Sequence, residues 1–340
     1  MENVQDDQTA SPLPEAAGEA VMIPPKYQKP DEVSNVWLKS VTSLAAYLLL
    51  GYFFFQSYIT LLVITAIVMI HELGHFLAMR YFRYNDLGIF FIPLLGAYVS
   101  GTKREVSQSQ SAVILLAGPL PGIIIGVLLI LIDKQGTGLY FLHIPLYRIG
   151  LIFMLLNGIN LLPVYPLDGG QLLNRVFLDE EGFWSKVFVF LSAGLIAWFA
   201  WHMYQKTHSP AFFLFFLFPL TMIFRKFGDD KLLSVEKQVE AAGIHTDVDY
   251  EELPDEDYWK IRNILIEHYP PFRGEQPAPP YTYSPKEDKI MQAVQMLLHR
   301  NLIQDVSVAG KILIFLVWAA ALASPWLINI GTSLLQRFGF

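Results

Sequence analysis

The sequence predicts an all-α polytopic membrane protein with about seven transmembrane helices and a short β-hairpin or re-entrant strand segment. The first supporting observation is compositional: 53% of the 340 residues are hydrophobic and only 16% are charged, whereas a soluble domain has roughly 25% charged residues. The second is that the apolar residues are collected into runs long enough to cross a bilayer. These runs cover residues 36–56, 61–82, 111–132, 145–162, 184–204, 211–224 and 312–330. We therefore expect the lipid bilayer to surround much of the chain.

The composition also excludes several classes of site and partner. The chain has no cysteine, which rules out a disulfide framework, a thiolate metal site and a cysteine nucleophile. Any metal ligands must therefore be His, Asp or Glu. The formal net charge is −7, whereas binding to nucleic acid phosphates needs a basic surface. We expect no nucleic acid partner.

Changes in composition divide the chain into four parts. An acidic N-terminal tail, predicted to be disordered and to lack a targeting peptide, precedes a membrane-embedded core of about six transmembrane helices. An acidic insert and a C-terminal transmembrane helix with a tail follow. The bounds of the four parts are 1–34, 35–227, 228–308 and 309–340. The insert contains predicted helices at 258–268 and 286–302, the second with one apolar face. We expect it to have little core of its own and to dock a regulator.

Basic residues predict the orientation of the chain. Cytoplasmic loops of membrane proteins carry an excess of Lys and Arg, and that excess is obtained when the N-terminus is placed in the cytoplasm. Seven basic residues then lie on the cytoplasmic side of the membrane: Arg80, Arg83, Lys103, Arg104, Arg175, Arg225 and Lys226. Four lie on the opposite side: Lys134, Arg148, Lys206 and Arg337. The insert is cytoplasmic in the same arrangement.

The second apolar run contains the polar residues His71, Glu72 and His75. Ionisable groups inside a membrane segment are costly and usually have a partner or a function. Positions i and i+4 share one face of a helix, so the two imidazoles can bind one ion while Glu72 lies beside them. This HExxH spacing is typical of zinc sites in which the glutamate serves as a base. The alternative is a pair of core histidines that bond backbone carbonyls, with a snorkelling glutamate.

Two stretches interrupt the helical pattern. Residues 87–100 are rich in aromatic and β-branched residues, and Pro93 and Gly96 break them up. They predict one or two short strands or a re-entrant hairpin near the histidines, and an edge strand there could hold an extended peptide. A plain interfacial loop is the alternative. In the third apolar run, AGPLPG at 117–122 predicts a bend and a close helix approach.

A second group of polar residues follows the fourth apolar run. Asn157, Asn160 and Asp168 lie around Pro163 and Pro166, which end the helix and free its backbone for an irregular turn. A carboxylate from such a broken helix could be the third ligand of a metal. Alternatively, Asp168 could be the N-cap of a following helix, and Asn160 could bond a neighbouring helix.

Four motifs together resemble the site-2 protease family (M50) of intramembrane zinc metalloproteases. They are HELGH at 71–75, the β-like stretch after it, AGPLPG at 117–122 and NLLPVYPLDGG at 160–170. The likeness covers about a third of the chain. One departure is Gly122, where the family often carries an asparagine.

By that resemblance, His71, His75 and Asp168 would bind one Zn²⁺ per chain. Glu72 would be the catalytic general base, and Asn160 would hold the substrate backbone. The implied activity is the hydrolysis of peptide bonds in transmembrane protein substrates, as in regulated intramembrane proteolysis. The family's distribution and the absence of a targeting peptide indicate a multi-pass protein of a bacterial cytoplasmic membrane.

Three alternatives to this activity stay open at the level of sequence. A prenyl-protein protease can also carry HExxH, but its third ligand would be a glutamate on a later helix. A membrane transporter also uses polar helix breaks, although such proteins often show two similar halves. A non-catalytic membrane scaffold could bind the same clients without cleaving them.

Overall fold

Helices make up most of the regular structure. The computed structural model describes residues 23–29, 35–55, 57–92, 96–103, 106–134, 138–178, 182–208, 212, 217–298 and 302–328. The helices are α1 (Val36–Phe55), α2 (Tyr58–Tyr81), α3 (Gln108–Ala117), α4 (Pro119–Lys134), α5 (Leu146–Asn160), α6 (Asp168–Val176), α7 (Phe183–Thr207), α8 (Leu217–Ala241), α9 (Asp255–His268), α10 (Glu287–Leu298) and α11 (Val308–Leu327).

Six strands form three small sheets in the described part of the chain. Strands β1 (Asn85–Ile92) and β2 (Gly96–Thr102) are antiparallel, β3 (Val106–Ser107) pairs in parallel with β6 (Leu302–Ile303), and β4 (Tyr140–Phe141) is antiparallel to β5 (Ile144–Pro145). The pairing of β1 with β2 confirms the predicted hairpin.

The described helices support a membrane protein. Four spans are long and apolar enough to cross a bilayer: α2, the α3–α4 pair, α7 and α11. Two apolar helices are shorter, at 10–17 residues: Val36–Tyr52, which is part of α1, and α5. The predicted span 211–224 falls partly outside the described residues. A total of seven spans therefore stays a prediction.

Helix α2 lies between the hairpin and the helices that follow it. Val63 and Ile67 on α2 pack against Ile149 and Phe153 on α5. On the other side, Tyr47 of α1 and Phe91 of β1 are in ring contact. Gly118 separates α3 from α4, in the stretch where the sequence predicts a bend. Because of this packing, the polar face of α2 is directed towards α3, α5 and α6.

The insert has a substantial core, so the expectation of little core was wrong. This core joins the end of α8, the loop after it, α9 and α10. The fully or nearly buried residues are Leu232, Val235, Val239, Ile244, Tyr250, Leu253, Tyr258, Trp259, Ile261, Leu265, Ile266, Phe272, Ile290, Met291, Ala293, Val294, Leu297 and Leu298. In the sequence, these apolar residues are separated by polar ones over several stretches of the insert. They form a continuous core only when the chain is folded.

The structure shows two features at the boundaries of the predicted parts. Helix α8 is continuous from Leu217 to Ala241, so it passes through the expected boundary between residues 227 and 228. Within the tail predicted to be disordered, residues 23–29 lie against the insert, where Ile23 and Tyr27 contact its core. The rest of the tail, 1–22 and 30–34, lies outside the described residues.

The C-terminal end of the insert is joined to the start of α3. Beyond the pairing of β3 with β6, the carboxylate of Asp305 accepts hydrogen bonds from the N–H of Ser109, at 2.9 Å, and from its hydroxyl. Burial raises the pKa of Asp305, but these hydrogen bonds outweigh it and hold the pKa below its ordinary value. An acid at this position also suits the N-terminal end of a helix dipole.

Candidate metal centre

Helix α2 carries three buried ionisable side chains in an apolar segment. Ser57 caps the helix by accepting a hydrogen bond from the N–H of Thr60, and the helix continues without a break to Tyr81. His71, Glu72 and His75 are 6%, 6% and 8% exposed. Groups buried this deeply need partners, because an unsatisfied polar atom in an apolar environment costs free energy.

The two histidines converge with Asp168 on one point. The Nε2 atoms of His71 and His75 are 3.1 Å apart. They lie 3.1 and 3.3 Å, respectively, from Oδ2 of Asp168. The structure therefore brings together the three residues that the sequence predicts as metal ligands. Within the described residues, no other three His, Asp or Glu side chains form a comparable group.

An amide on α5 fixes the tautomer of His71. Nδ2 of Asn157 donates to the carbonyl of Phe153 at 2.8 Å, so the amide oxygen is the atom that faces Nδ1 of His71, at 2.8 Å. That oxygen can only accept, so Nδ1 carries the hydrogen. In a neutral imidazole, Nε2 then holds a free lone pair.

A backbone carbonyl fixes the tautomer of His75 in the same way. Nδ1 of His75 lies 2.8 Å from the carbonyl oxygen of Ile114 on α3. Because a carbonyl only accepts, this Nδ1 also carries the hydrogen and leaves the Nε2 lone pair free. The alternative interpretation was that the histidines only bond backbone carbonyls. It holds for Nδ1 of His75 but for no other nitrogen of the two rings. Both Nε2 atoms point at the carboxylate.

This donor set fits a zinc ion. Oδ2 of Asp168 is buried and has no hydrogen-bond donor, so three lone-pair atoms face one another and a cation between them would satisfy all three. Ligand atoms at about 2.0–2.1 Å from a tetrahedral ion are separated by roughly 3.3 Å. The three observed separations of 3.1, 3.1 and 3.3 Å match one face of such a tetrahedron. The fourth corner is left for water or substrate.

Asp168 is placed by the broken segment between α5 and α6. It is the first residue of α6, whereas the N-cap position belongs to Leu167, and no side chain caps the helix there. The alternative of Asp168 as an N-cap is therefore wrong. The indole of Trp318 on α11 holds the segment by donating to the carbonyl of Leu161 at 2.8 Å, and the hydroxyl of Ser192 on α7 accepts from the N–H of Tyr165 at 3.1 Å.

Two glycines allow α3 and α4 to approach the site. A Cβ atom on Gly118 would lie 2.3 Å from Nε2 of His75, and one on Gly122 would lie 2.1 Å from Nδ2 of Asn157. Both distances are far below a normal contact. The absence of a side chain at 122, a departure from the family pattern, therefore leaves the space that the Asn157 amide occupies.

Asn160 is not among the residues that contact the candidate ligands. It is the last residue of α5 and is half-buried, but the amide that reaches His71 belongs to Asn157. Sequence reasoning named Asn157 only as a polar residue at a helix end. The signal that could have singled it out is the general need of a metal-binding histidine for a partner at its second nitrogen.

Comparison with known proteins finds a peptidase family that matches part of the chain. Residues 59–141 match the sequence model of peptidase family M50. We call this part of the chain the M50 segment, and it resembles that family. The M50 segment includes His71, Glu72 and His75, and it ends before Asn157 and Asp168.

Two curated proteins each resemble about a third of the chain. A zinc metalloprotease of Methanocaldococcus jannaschii is 29% identical over 117 residues, which are 34% of this chain and 33% of that protein. Stage IV sporulation protein FB of Bacillus subtilis is 29% identical over 128 residues, which are 36% of this chain and 42% of that protein. The match thus spans less than half of each relative.

One solved structure is also similar. It is the site-2 protease from Methanocaldococcus jannaschii, which is 23% identical, with a TM-score of 0.38. The match covers 55% of this chain and 85% of that one.

Proposed function

We propose that the chain is an intramembrane zinc metalloprotease that hydrolyses peptide bonds of transmembrane protein substrates. The observation that carries the proposal is the convergence of Asp168 on His71 and His75. The two histidines lie beside Glu72 on α2, within the M50 segment. The M50 match favours neither a transporter nor a non-catalytic scaffold. Regulated intramembrane proteolysis is the process that such an activity would serve.

The three converging residues would be the ligands of one zinc ion per chain. Zinc bound there would act as a Lewis acid that polarises a peptide carbonyl and acidifies the attacking water. The protein's own contribution is to hold two imidazoles in the correct tautomer, through Asn157 and Ile114. Such partners of ligating histidines raise the basicity of the ligand and fix the orientation of its ring.

Glu72 would be the general base. It follows His71 on α2 and is buried, so water from the surroundings does not compete for its carboxylate. As the water oxygen bonds to the carbonyl carbon, Glu72 would accept the proton that the water loses. It would then deliver that proton to the amide nitrogen as the C–N bond breaks.

The hairpin and Asn160 would hold the substrate. A helical substrate keeps its amides bonded to each other, so it must unwind locally before cleavage, and its freed backbone groups then need new partners. The β1–β2 hairpin packs beside α2, and an extended segment added to its edge would obtain those partners. Asn160, at the end of α5, would bond the substrate backbone with its amide.

We also propose an N-terminus in the cytoplasm, on the positive-inside distribution of Lys and Arg. Under this proposal, residues 35–227 form the proteolytic core, and the insert of 228–308 lies in the cytoplasm, where it is available to a regulator. A bacterial cytoplasmic membrane is the proposed location.

Two variants test the function. The full chain is purified in detergent, its zinc content is measured, and it is reconstituted with solubilised membrane proteins so that new protein N-termini can be counted by mass spectrometry. Glu72→Gln should keep about one zinc per chain and yield no new termini, whereas Asp168→Ala should lose zinc. Cleavage by the Glu72→Gln variant, or full zinc binding by Asp168→Ala, would contradict the assignments.

A further inference from the structure

Residues 23–29, with the sequence IPPKYQK, lie across the insert and have their carbonyls bonded by aromatic side chains. The indole of Trp259 donates to the carbonyl of Pro24 at 2.9 Å. The hydroxyls of Tyr283 and Tyr250 donate to the carbonyls of Pro25 and Tyr27. These contacts join residues more than 220 positions apart in the chain. We call the surface formed by Tyr250, Asp255, Trp259 and Tyr283 the tail groove.

The tail groove has the chemistry of a site for proline-containing peptides. Proline has no N–H, so its carbonyl is the backbone polar group that a partner can bond. Both carbonyls of the Pro24–Pro25 pair are bonded by the groove. The rings of Trp259 and Tyr283 are stacked, with centroids 5.6 Å apart and planes at 18°. Aromatic walls that donate to an extended proline segment are a known mode of peptide recognition, which exploits the low entropy of such segments.

Lys26 supplies a second element of selectivity. Its ammonium donates to the carbonyls of Glu251 and Leu253, each at 2.6 Å, and its backbone N–H donates to the carboxylate of Asp255 at 2.8 Å. This part of the insert is the acidic stretch EELPDED at 251–257, which favours a cation. A glutamate at position 26 would meet the same carbonyls and acids with a repulsive charge.

Tyr27 completes the contact. Its ring packs edge-on against Tyr283, with centroids 5.4 Å apart, and a hydrogen bond to the carboxylate of Asp288 raises the pKa of the Tyr27 hydroxyl. The segment therefore offers four successive residues, Pro-Pro-Lys-Tyr, and each makes a distinct contact.

The segment lies on the insert rather than inside it. Pro25, Gln28 and Lys29 are exposed, and the other described residues of the segment are half-buried. The buried core of the insert is built from residues 232–298 alone, with Ile23 and Tyr27 only against its edge. Removing the segment would therefore uncover a surface without opening a cavity in the core.

We propose that the insert is a peptide-recognition module for Pro-Pro-Lys-Tyr segments, and that residues 23–29 are its intramolecular ligand. Because tail and groove belong to one chain, binding of the tail is intramolecular, and a peptide in solution competes with a ligand that is always present. A second protein that carries such a segment reaches the groove only when the tail has been displaced.

The test measures binding of a fluorescent peptide, residues 21–31 of the chain, to full-length protein in detergent by anisotropy. The tail variant combines Pro24→Ala, Pro25→Ala and Lys26→Glu, which removes both proline rings, replaces the Lys26 ammonium with a carboxylate and leaves the length of the chain unchanged. The peptide should bind the tail variant at least about 10-fold more tightly than the wild type, in which the tail competes.

Matched controls separate recognition from non-specific adsorption. A peptide with glutamate in place of its lysine should bind at least about 10-fold more weakly. Adding Trp259→Phe to the tail variant keeps an aromatic ring but removes the N–H, and should weaken binding about 3- to 10-fold. Trp184→Phe, at a residue that is 70% exposed on α7, should leave binding unchanged.

Three results would overturn the proposal. They are no saturable binding to the tail variant, equal binding of the lysine and glutamate peptides, and loss of the near-ultraviolet circular dichroism of the insert's aromatic core in the tail variant. The last result would make residues 23–29 a structural part of the insert rather than a ligand. None of these measurements depends on zinc or on Glu72, so they stand apart from the test of proteolysis.

Discussion

At the scale of single residues, the orientation of His71 depends on one amide. Asn157 is 1% exposed, and both ends of its amide are used, one by the carbonyl of Phe153 and the other by His71. Without it, the imidazole of His71 would lose the acceptor that holds its hydrogen on Nδ1, and the other tautomer would turn a hydrogen towards Asp168.

Asn157→Ala should therefore weaken zinc binding about 10- to 100-fold, the usual effect of losing a partner of a ligating histidine. The affinity is measured in detergent by competition with a chromophoric chelator. Asn160→Ala is the control, because Asn160 lies three residues away on the same helix and contacts no candidate ligand. That variant should retain zinc affinity and lose cleavage activity. Equal zinc affinities of the two variants would contradict the role of Asn157.

A second residue-scale prediction concerns the approach of α3 to the site. Gly118→Ala should lower the zinc content strongly, because the added Cβ would lie 2.3 Å from Nε2 of His75 and the imidazole would have to move. Gly158→Ala is a matched control, since a Cβ on Gly158 would meet no atom within 4 Å. Zinc per chain, measured by elemental analysis, distinguishes them. A Gly118→Ala protein with full zinc would refute the steric argument.

The candidate ligands were predictable from sequence, but their partners were not. His71 and His75 are four residues apart on one helix, so local geometry places them together, and Asp168 follows from its motif. Asn157 and Asn160 are also helical neighbours on one face, and the sequence does not show which of them meets His71. The partner of His75 is a backbone carbonyl, which every residue possesses, so no side-chain pattern marks Ile114.

At the scale of elements, the C-terminal helix α11 is part of the site's support. Trp318 is buried against Leu161, Leu172 and Val176, and its indole bonds the carbonyl of Leu161, one residue after Asn160. The broken segment that carries Asp168 to the histidines is thus held by a helix that lies about 150 residues further along the chain.

Trp318→Phe should reduce stability by about 1–3 kcal/mol, because the carbonyl of Leu161 then remains buried without its donor. The measurement is thermal unfolding of the zinc-bound protein in detergent. Trp326→Phe, on the same helix but 53% exposed, should change the transition little. If both variants unfold at the wild-type temperature, the indole contact does not support the segment.

Elements were predicted well where the periodicity was clear, and less well where composition changed within a helix. The HExxH helix, the helix break at Gly118 and the β1–β2 hairpin follow from local patterns. The continuous helix α8 does not, because its sequence changes from apolar to charged near residue 227. A change from apolar to charged residues indicates a change in the surroundings of the helix, not its end. Lys, Glu and Leu are all good helix formers, so the helix continues through the change.

At the scale of the whole molecule, the insert is stabilised by a fully buried ion pair. Arg262 and Glu287 are 0% and 1% exposed, with Nε to Oε1 at 2.8 Å and Nη2 to Oε2 at 3.1 Å. The guanidinium also bonds the carbonyls of Gln276 and Thr282. The buried guanidinium and the buried carboxylate each form several hydrogen bonds, which compensate for the loss of solvation.

Glu287→Gln should destabilise the insert by about 3–5 kcal/mol, the cost of leaving a buried charge without its partner. Glu256→Gln is the control, because the pair that Glu256 forms with Lys260 is largely exposed and such pairs contribute about 0–1 kcal/mol. Thermal unfolding followed by tryptophan fluorescence reports both. Zinc content should stay at the wild-type value, because no candidate ligand lies in the insert. Equal stabilities of the two variants would be evidence against the buried pair.

The size of the insert's core could not be predicted, because its parts are distant in sequence. Helix α10 showed an apolar face, and Ile290, Val294, Leu297 and Leu298 are indeed buried. The surface that they pack against comes from α8, α9 and the loop between them. Local periodicity identifies a face that will be buried, but it does not identify what covers it.

The junction of Asp305 with Ser109 connects the insert to α3, the helix whose Ile114 carbonyl orients His75. From Ser109 to Ile114, whose carbonyl orients His75, α3 runs for five residues, or about 7.5 Å. A helix this short does not bend appreciably, so a displacement of strand β6 would move α3 as a rigid body. The carbonyl of Ile114 would then move away from the imidazole of His75. A force that separates the insert from α3 would therefore also disturb the orientation of His75, a candidate zinc ligand.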